Sequence, residues 1–305
     1  MQRRSFLKAV GIGTWAGAGF VSGDPVRLAL AADPSAGTPD LVAVKNGEPE
    51  ALFDRGIEAL GGMGRFVKKG QKVVVKPNIG WNVSPERAAN TNPRLVRRIV
   101  EHCLQAGAKE VYVFDHTCDG WRDSYRTSGI EQAVKDAGGK LAPGNSEGYF
   151  QTVAVPRGRR LREVKEHELI LQADVLINVP VLKSHGGARL TVAMKNLMGV
   201  VWDRGEWHAN DLHQCIADFA TYRKPDLNVV DAYNVLLRHG PRGVSTADVA
   251  NLRSQLLSTD LVTADAAAAK LFGLEPDAVD YIRIAGEMGV GRKDLENLAI
   301  RRIVL

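Results

Sequence analysis

The hydrophobic and polar positions of this chain alternate between two spacings along its length. Short apolar and β-branched runs, such as residues 72–76, have the length and composition of buried strands. Between these runs, apolar residues recur at helical spacing, as at Leu95, Ile99 and Cys103 behind Pro93, a residue favoured at the first position of a helix. The pattern therefore predicts that strands and helices follow one another.

The predicted elements cover most of the chain. Strands are expected at residues 41–44, 72–76, 110–114, 174–178, 227–230, 255–257 and 301–305. Helices are expected at about 48–60, 93–107, 128–137, 190–200, 260–272 and 277–288, with hairpin-like pieces near 152–155 and 160–164. Near-continuous apolar strands that alternate with helices predict an α/β fold, in which a mainly parallel or mixed sheet carries helices on both faces. We expect a single such domain over residues 32–305.

The first 31 residues have a different pattern and predict a twin-arginine signal. Arg3 and Arg4 precede Phe-Leu-Lys, a weakly apolar stretch covers residues 9–23, and residues 29–31 offer a small-x-small cleavage site. The predicted partner is the twin-arginine export machinery, and the predicted location is periplasmic or extracytoplasmic after export in the folded state. Two alternatives stay open: a basic, slightly apolar tail, or an uncleaved signal that anchors the chain to a membrane.

The net charge argues against a nucleic-acid partner. The whole chain has 40 basic and 35 acidic side chains, and 36 and 34 of these remain once residues 1–31 are set aside. A nearly balanced chain lacks the overall positive charge that nucleic-acid binding relies on.

The cysteines exclude two kinds of metal centre. Cys103, Cys118 and Cys215 are far apart in sequence and form no C-x-x-C pair, so we expect neither an iron–sulfur cluster nor a structural zinc site. The apolar helical face around Cys103 predicts a buried thiol, and one disulfide stays open as an alternative.

Polar residues follow several of the predicted strands at the point where each strand ends. Four strand ends carry them: Lys76 with Asn78, Asp115 with His116, Asn178 with Lys183 and His185 beyond it, and Asp231. Ligands of open α/β sheets bind in the crevice at the carboxyl ends of the strands. The sequence therefore predicts a site at this edge of the sheet.

Several motifs of this chain resemble the domain-of-unknown-function 362 family. They run in order from about residue 70 to 295: VVKPN at 74–78 with TNP at 91–93, NVPVLKSH at 178–185 with TVAMKNLMG at 191–199, NVVDA at 228–232, GPRG at 240–243 and TADA at 263–266. The resemblance implies the fold and the location of the site, but no reaction. Many relatives also carry ferredoxin-type cysteine motifs, which this chain lacks.

The chemistry of the predicted site favours an anionic ligand. Three lysines at this edge would form a receptor for carboxylate or phosphate, and carboxylates would balance them. His185 and His116 are candidates for proton transfer or metal ligation, with Asp115, Asp231 and Asp265 as oxygen ligands, so a divalent metal stays open. Residues 202–213 could form a lid or an ordinary surface loop, and the lysines and aspartates could instead be a purely structural network.

The sequence thus predicts roles for nine side chains. The predicted catalytic residues are His185, Lys195 and Asp115, and the predicted ligand-binding residues are Lys76, Asn78, Asn178, Lys183, Asn196 and Asp231. Three functions are compatible with them: an exported enzyme acting on a small anionic substrate, a non-catalytic binding or cofactor-handling protein, and an accessory protein for the maturation of another exported complex.

Overall fold

The computed structural model describes residues 37–305, so the predicted signal at residues 1–31 lies outside the described residues. The strands are β1 Leu41–Lys45, β2 Lys72–Pro77, β3 Glu110–Val113, β4 Lys140–Leu141, β5 Phe150–Ala154, β6 Glu163–His167, β7 Val175–Val179, β8 Val181–His185, β9 Arg189–Thr191, β10 Leu227–Leu236, β11 Val249–Ser258 and β12 Ile300–Val304. The helices are α1 Pro49–Ala59, α2 Pro93–Gln105, α3 Trp121–Thr127, α4 Ile130–Asp136, α5 Glu168–Leu171, α6 Ala193–Asn196, α7 Arg204–Ala209, α8 Leu212–Tyr222, α9 Leu261–Phe272 and α10 Asp280–Glu287.

One mixed sheet organises the domain. Its strand order is β12-β1-β11-β10-β7-β2-β3-β4, and the hairpin of β8 and β9 joins it through β10. β10, β7, β2, β3 and β4 run parallel, whereas β11 is antiparallel to both β10 and β1. The predicted α/β class with a mainly parallel or mixed sheet is confirmed.

The sheet separates two hydrophobic cores because successive strand residues point to opposite faces. In β2, Val74 packs with helices α8, α9 and α10 on one face, while Val73 and Val75 pack with α1 and α2 on the other. Both faces are therefore covered by helices, as the continuous apolar strands predict.

Several predicted boundaries are wrong for local reasons. The helix predicted at 128–137 is confirmed as α4, but the helix before it, α3, was not predicted; Gly129, with a left-handed backbone (φ 74°), separates the two. The predicted helix at 190–200 begins as β9, which pairs with β8 in a hairpin, and becomes helical only at Ala193. Residues 202–213 form α7 and the start of α8 rather than a loop.

The three cysteines carry free thiols, and Cys103 is buried on α2 as its helical spacing predicts.

Within residues 37–305, every helix is too short or too polar to cross a lipid bilayer.

Candidate functional site

A cavity of about 450 Å³ opens at the carboxyl ends of the parallel strands. The sheet brings these ends together, since Lys76 of β2 is level with Asn178 of β7, which is level with Asn228 of β10. Seven of the nine predicted side chains line the cavity: Lys76, Asn78, Asp115, Lys183, His185, Lys195 and Asn196. Asn178 and Asp231 lie behind its wall.

Lys76 and Asp115 form a buried ion pair. The Lys76 ammonium lies 2.8 Å from Asp115 Oδ1 and also donates to the Pro77 carbonyl (2.9 Å) and to Asn196 Oδ1 (3.0 Å). Asp115 Oδ2 accepts from the Ile79 N–H at 2.7 Å. Burial lowers the pKa of Lys76, and Asp115 opposes that shift. All three donors of Lys76 are therefore used within the protein.

The ion pair depends on a glycine. A Cβ atom added to Gly199 would lie 1.8 Å from Asp115 Oδ1 and 2.6 Å from Lys76 Nζ. Any side chain at position 199 would thus occupy the space in which the two charges meet. Gly199 also accepts a hydrogen bond from the His116 N–H through its carbonyl (2.9 Å), which fixes the loop behind β3.

A chain of asparagines links the strand ends. Asn78 Nδ2 donates to Asn196 Oδ1 (2.9 Å), Asn196 Nδ2 donates to Asn178 Oδ1 (2.8 Å), and Asn178 Nδ2 donates to Asn228 Oδ1 (3.0 Å). An amide supplies both a donor and an acceptor, so asparagine can continue such a chain inside a core. Asn178 therefore orients Asn196 rather than lining the cavity itself.

Lys183 is buried without a carboxylate partner among the described residues. Its ammonium donates to Asn78 Oδ1 (3.0 Å) and to the Ala89 carbonyl (2.5 Å). Burial, together with the positive charge of Lys195 nearby, lowers the pKa of Lys183 to about 7, although the sulfur of Cys118 opposes the shift. The group consequently changes charge near neutral pH.

Lys195 has the fewest partners of the three lysines. It lies on α6, whose first N–H groups, from Ala193 and Met194, donate to the Asp265 carboxylate at 2.5 and 3.1 Å. The residue is only 9% exposed, and its ammonium makes no hydrogen bond or ion pair with any described residue. Burial lowers the pKa of Lys195 to about 8.

His185 is held as a neutral hydrogen-bond donor. Its Nδ1 accepts from the backbone N–H groups of Gly187 and Ala188, both at 3.1 Å. A ring nitrogen that accepts carries no proton, so the neutral ring bears its proton on Nε2. Burial and the nearby lysines lower the pKa of His185 to about 3, which keeps the ring uncharged at neutral pH.

The cavity residues that were not predicted as site residues include four with polar side chains: Thr191, Arg204, His208 and Cys118. Arg204 Nη1 and Nη2 donate to the carbonyls of His116 and Thr117, and the guanidinium has no carboxylate partner among residues 37–305. Thr191 Oγ1 is buried without a hydrogen-bond partner. The tryptophans and histidines of residues 202–213 were the signal for Arg204 and His208, and the signal for Thr191 was its place at the start of the motif at 191–199.

Three residues proposed from sequence have other contacts in the structure. Asp231 accepts from the N–H groups of Asn92 (2.7 Å) and Tyr233 (3.1 Å), and burial raises its pKa to about 6. His116 stacks on Trp202, with ring centroids 4.9 Å apart. Asp265 caps α6, as described above. In the described part of the chain, no three His, Cys, Asp or Glu side chains converge in a way that could hold a metal ion.

The cavity is strongly cationic. Lys76, Lys183, Lys195 and Arg204 line it, and Asp115 is the carboxylate among its lining residues within the described range. Since Lys76 already neutralises Asp115, the remaining positive charge faces the open volume.

The proteins similar to this chain include a sequence relative and two solved structures. The thylakoid-associated protein sll1697 of Synechocystis is 28% identical over 250 residues, which cover 77% of this chain and 73% of the relative. The lactate racemase apoprotein of Thermoanaerobacterium thermosaccharolyticum has a TM-score of 0.45 and 13% identity, over 70% of this chain and 53% of that one. A protein of Thermotoga maritima has a TM-score of 0.43 and 12% identity, over 79% of this chain and 60% of its own, so this chain spans less than two thirds of either structure.

The family model described as a domain of unknown function, DUF362, matches residues 73–270. That range includes all the residues that line the cavity, from Lys76 to Pro241. The match agrees with the motifs that suggested this family from the sequence. The chain belongs to the DUF362 family.

Proposed function

We propose that this protein binds a small anionic ligand, a carboxylate or a phosphate, in the cavity at the strand ends. The observation that carries the proposal is Lys195, a residue that is only 9% exposed in the cavity wall and whose ammonium has no partner among the described residues. A buried charge without a partner is costly, and native structures retain it where a ligand completes the site.

The electrostatics support the same ligand. Two like charges about 4 Å apart repel by about 4 kcal/mol at the effective dielectric of a protein surface, and by less as they separate. Lys183, Lys195 and Arg204 line one cavity, in which the carboxylate of the described residues, Asp115, is already paired with Lys76. An anion placed among them would replace repulsion by attraction, and a cavity of about 450 Å³ falls in the size range of small-molecule sites.

The neutral groups of the cavity complete the receptor. His185 offers its Nε2–H and Thr191 offers a hydroxyl without a partner, so oxygen atoms of the ligand would find donors besides the lysines. Charge-assisted hydrogen bonds of this kind are stronger than neutral ones.

A catalytic role rests on a second observation, the pKa of Lys195 near 8. A group that titrates close to neutral pH can both accept and return a proton, whereas His185 stays neutral and Asp115 is engaged with Lys76. Lys195 is therefore the proposed acid–base group of an enzyme, with His185 and Asp115 in supporting positions. A non-catalytic or cofactor-handling protein would use the same anion site without the proton transfer.

Calorimetric titration and thermal unfolding with inorganic phosphate, acetate and succinate test the binding proposal. The wild type should be stabilised by at least one of these anions, and Lys195→Ala should lose that stabilisation. Lys109→Ala is the matched control, because this exposed lysine lies before β3, at the opposite end of the strand from the cavity. Failure of the wild type to respond to these anions, or equal responses of both variants, would contradict the proposal.

We also propose that residues 1–31 export the folded protein. Replacement of both Arg3 and Arg4 by lysine should leave the precursor in the cytoplasm, as fractionation and immunoblotting would measure. Normal delivery of the doubly substituted protein would refute the assignment.

A further inference from the structure

Cys118 is the exposed thiol among the three cysteines, and it lines the same cavity as Lys195. It lies on the loop behind β3, where its own N–H donates to the Gly80 carbonyl at 2.8 Å. The carbonyl of the preceding Thr117 accepts from Arg204 Nη2, also at 2.8 Å. The backbone that carries the sulfur is therefore held on both sides.

The surroundings of the sulfur are positively charged. Lys183, Lys195 and Arg204 line the same cavity as Cys118, and the carboxylate of Asp115 there is already paired with Lys76. These cations attract an anionic molecule that enters the cavity beside the sulfur. The neighbouring carboxylate of Asp119 is occupied, since it lies 3.4 Å from Arg242 Nε and accepts from the Asn82 N–H at 2.9 Å.

Two buried polar groups of the same cavity point independently to a ligand. Lys195 is only 9% exposed and its ammonium has no partner in the described chain, and Thr191 Oγ1 is buried and also without a partner. Both line the cavity together with Cys118. An anion held by these groups would lie in the same enclosed volume as the thiol.

We propose that Cys118 is a covalent nucleophile that reacts with small carboxylates carrying an electrophilic carbon. The inference rests on the proposed anion site, which would bring the carboxylate to the thiol. In the step, the sulfur forms a bond to that carbon, the leaving group departs with its electron pair, and the thiol proton passes to solvent. Nucleophilic cysteines are found in partly exposed, electropositive surroundings of this kind.

Paired alkylation reagents test the inference on the full chain. Iodoacetate and iodoacetamide share a leaving group, but only iodoacetate carries a negative charge. We expect the ratio of their rates at Cys118, followed by mass spectrometry, to be roughly tenfold or more higher in the folded than in the urea-unfolded protein at low salt, because cationic clefts steer anions. The ratio should fall as salt screens the cavity, and Lys195→Ala should lower it while Lys109→Ala leaves it unchanged.

The outcomes separate the inference from the proposed function. Equal rate ratios in the folded and unfolded protein would contradict the assignment of Cys118 as a nucleophile for carboxylates, even if phosphate or succinate still stabilises the fold. A raised ratio without stabilisation by the three anions would instead support Cys118 and contradict reversible binding. If Lys195→Ala does not fold, the salt dependence of the rate ratio in the wild type tests the inference alone. A ratio that does not fall as the salt concentration rises would then contradict it.

Discussion

Lys76 and Lys195 line the same cavity, but their ammonium groups have opposite surroundings. Lys76 is fully buried and donates to three acceptors, one of them the Asp115 carboxylate. Lys195 is almost as buried and has no acceptor among residues 37–305. The two lysines therefore have different roles. Lys76 holds the structure of the site together, and Lys195 is the cation that would pair with the proposed ligand.

The largest effect should come from breaking the ion pair. Lys76→Met leaves Asp115 buried without its counter-charge, so the free energy of unfolding should fall by about 3–5 kcal/mol. Lys109→Met, at an exposed position just before β3, is the control and should change stability by less than about 0.5 kcal/mol. Chemical denaturation measures both.

A double substitution sharpens this result. Adding Asp115→Asn to Lys76→Met removes the stranded carboxylate and should restore part of the lost stability. No recovery would mean that Lys76 acts through packing rather than through its charge.

Gly199→Ala should have the next largest effect. Its Cβ would overlap Asp115 Oδ1 at 1.8 Å, so the pair must move apart, and we expect a loss of about 1–3 kcal/mol in thermal or denaturant unfolding. Gly205 also lines the cavity but has open space around its Cβ position. Gly205→Ala should therefore be neutral or, as a helical substitution, stabilising by up to about 1 kcal/mol. Equal losses at both positions would contradict the close approach at Gly199.

The pH dependence of stability tests whether Lys183 titrates near neutral pH. The pKa of Lys183 is about 7 in the folded chain against an ordinary value of 10.5, so between these values the unfolded chain holds the extra proton. Stability without ligand should then rise with pH from about 7 to 10, by at most about 1.4 kcal/mol per pH unit for this group. Stabilisation by an anion should fall over the same interval, because Lys183 and Lys195 lose their charge.

Lys183→Met removes the titrating group and isolates its contribution. The stability of this variant should rise less steeply with pH than that of the wild type over the same interval. A slope that matches the wild type would show that Lys183 does not titrate there.

The sequence was sufficient to predict the class of fold and the edge of the sheet that holds the cavity. Buried β-branched runs predict the strands, and parallel strands bring their carboxyl ends to one edge, which is why Lys76, Asn78 and Asp115 come together. The exceptions are local. Leu190 and Thr191 fall in a stretch predicted to be helical, and their pairing with β8 places them in a strand instead.

The different roles of the three lysines could not be predicted from the sequence. Lys76, Lys183 and Lys195 look alike in sequence, and their roles depend on which acceptors the folded chain places within about 3 Å. Asp231 follows a strand just as Asp115 does, but it accepts from the N–H groups of Asn92 and Tyr233. Its carboxylate therefore binds backbone N–H groups, one of them at the start of α2, and not a lysine.

The most direct test of this account is the equilibrium unfolding of Lys195→Ala, measured with and without inorganic phosphate, acetate and succinate. Because the substitution removes a buried cation that has no partner in the described chain, we predict a ligand-free stability equal to that of the wild type within about 0.5 kcal/mol, or higher, together with the loss of stabilisation by anions. A loss of about 3–5 kcal/mol that does not depend on any anion would show instead that Lys195 is part of a structural network, and would contradict the ligand site.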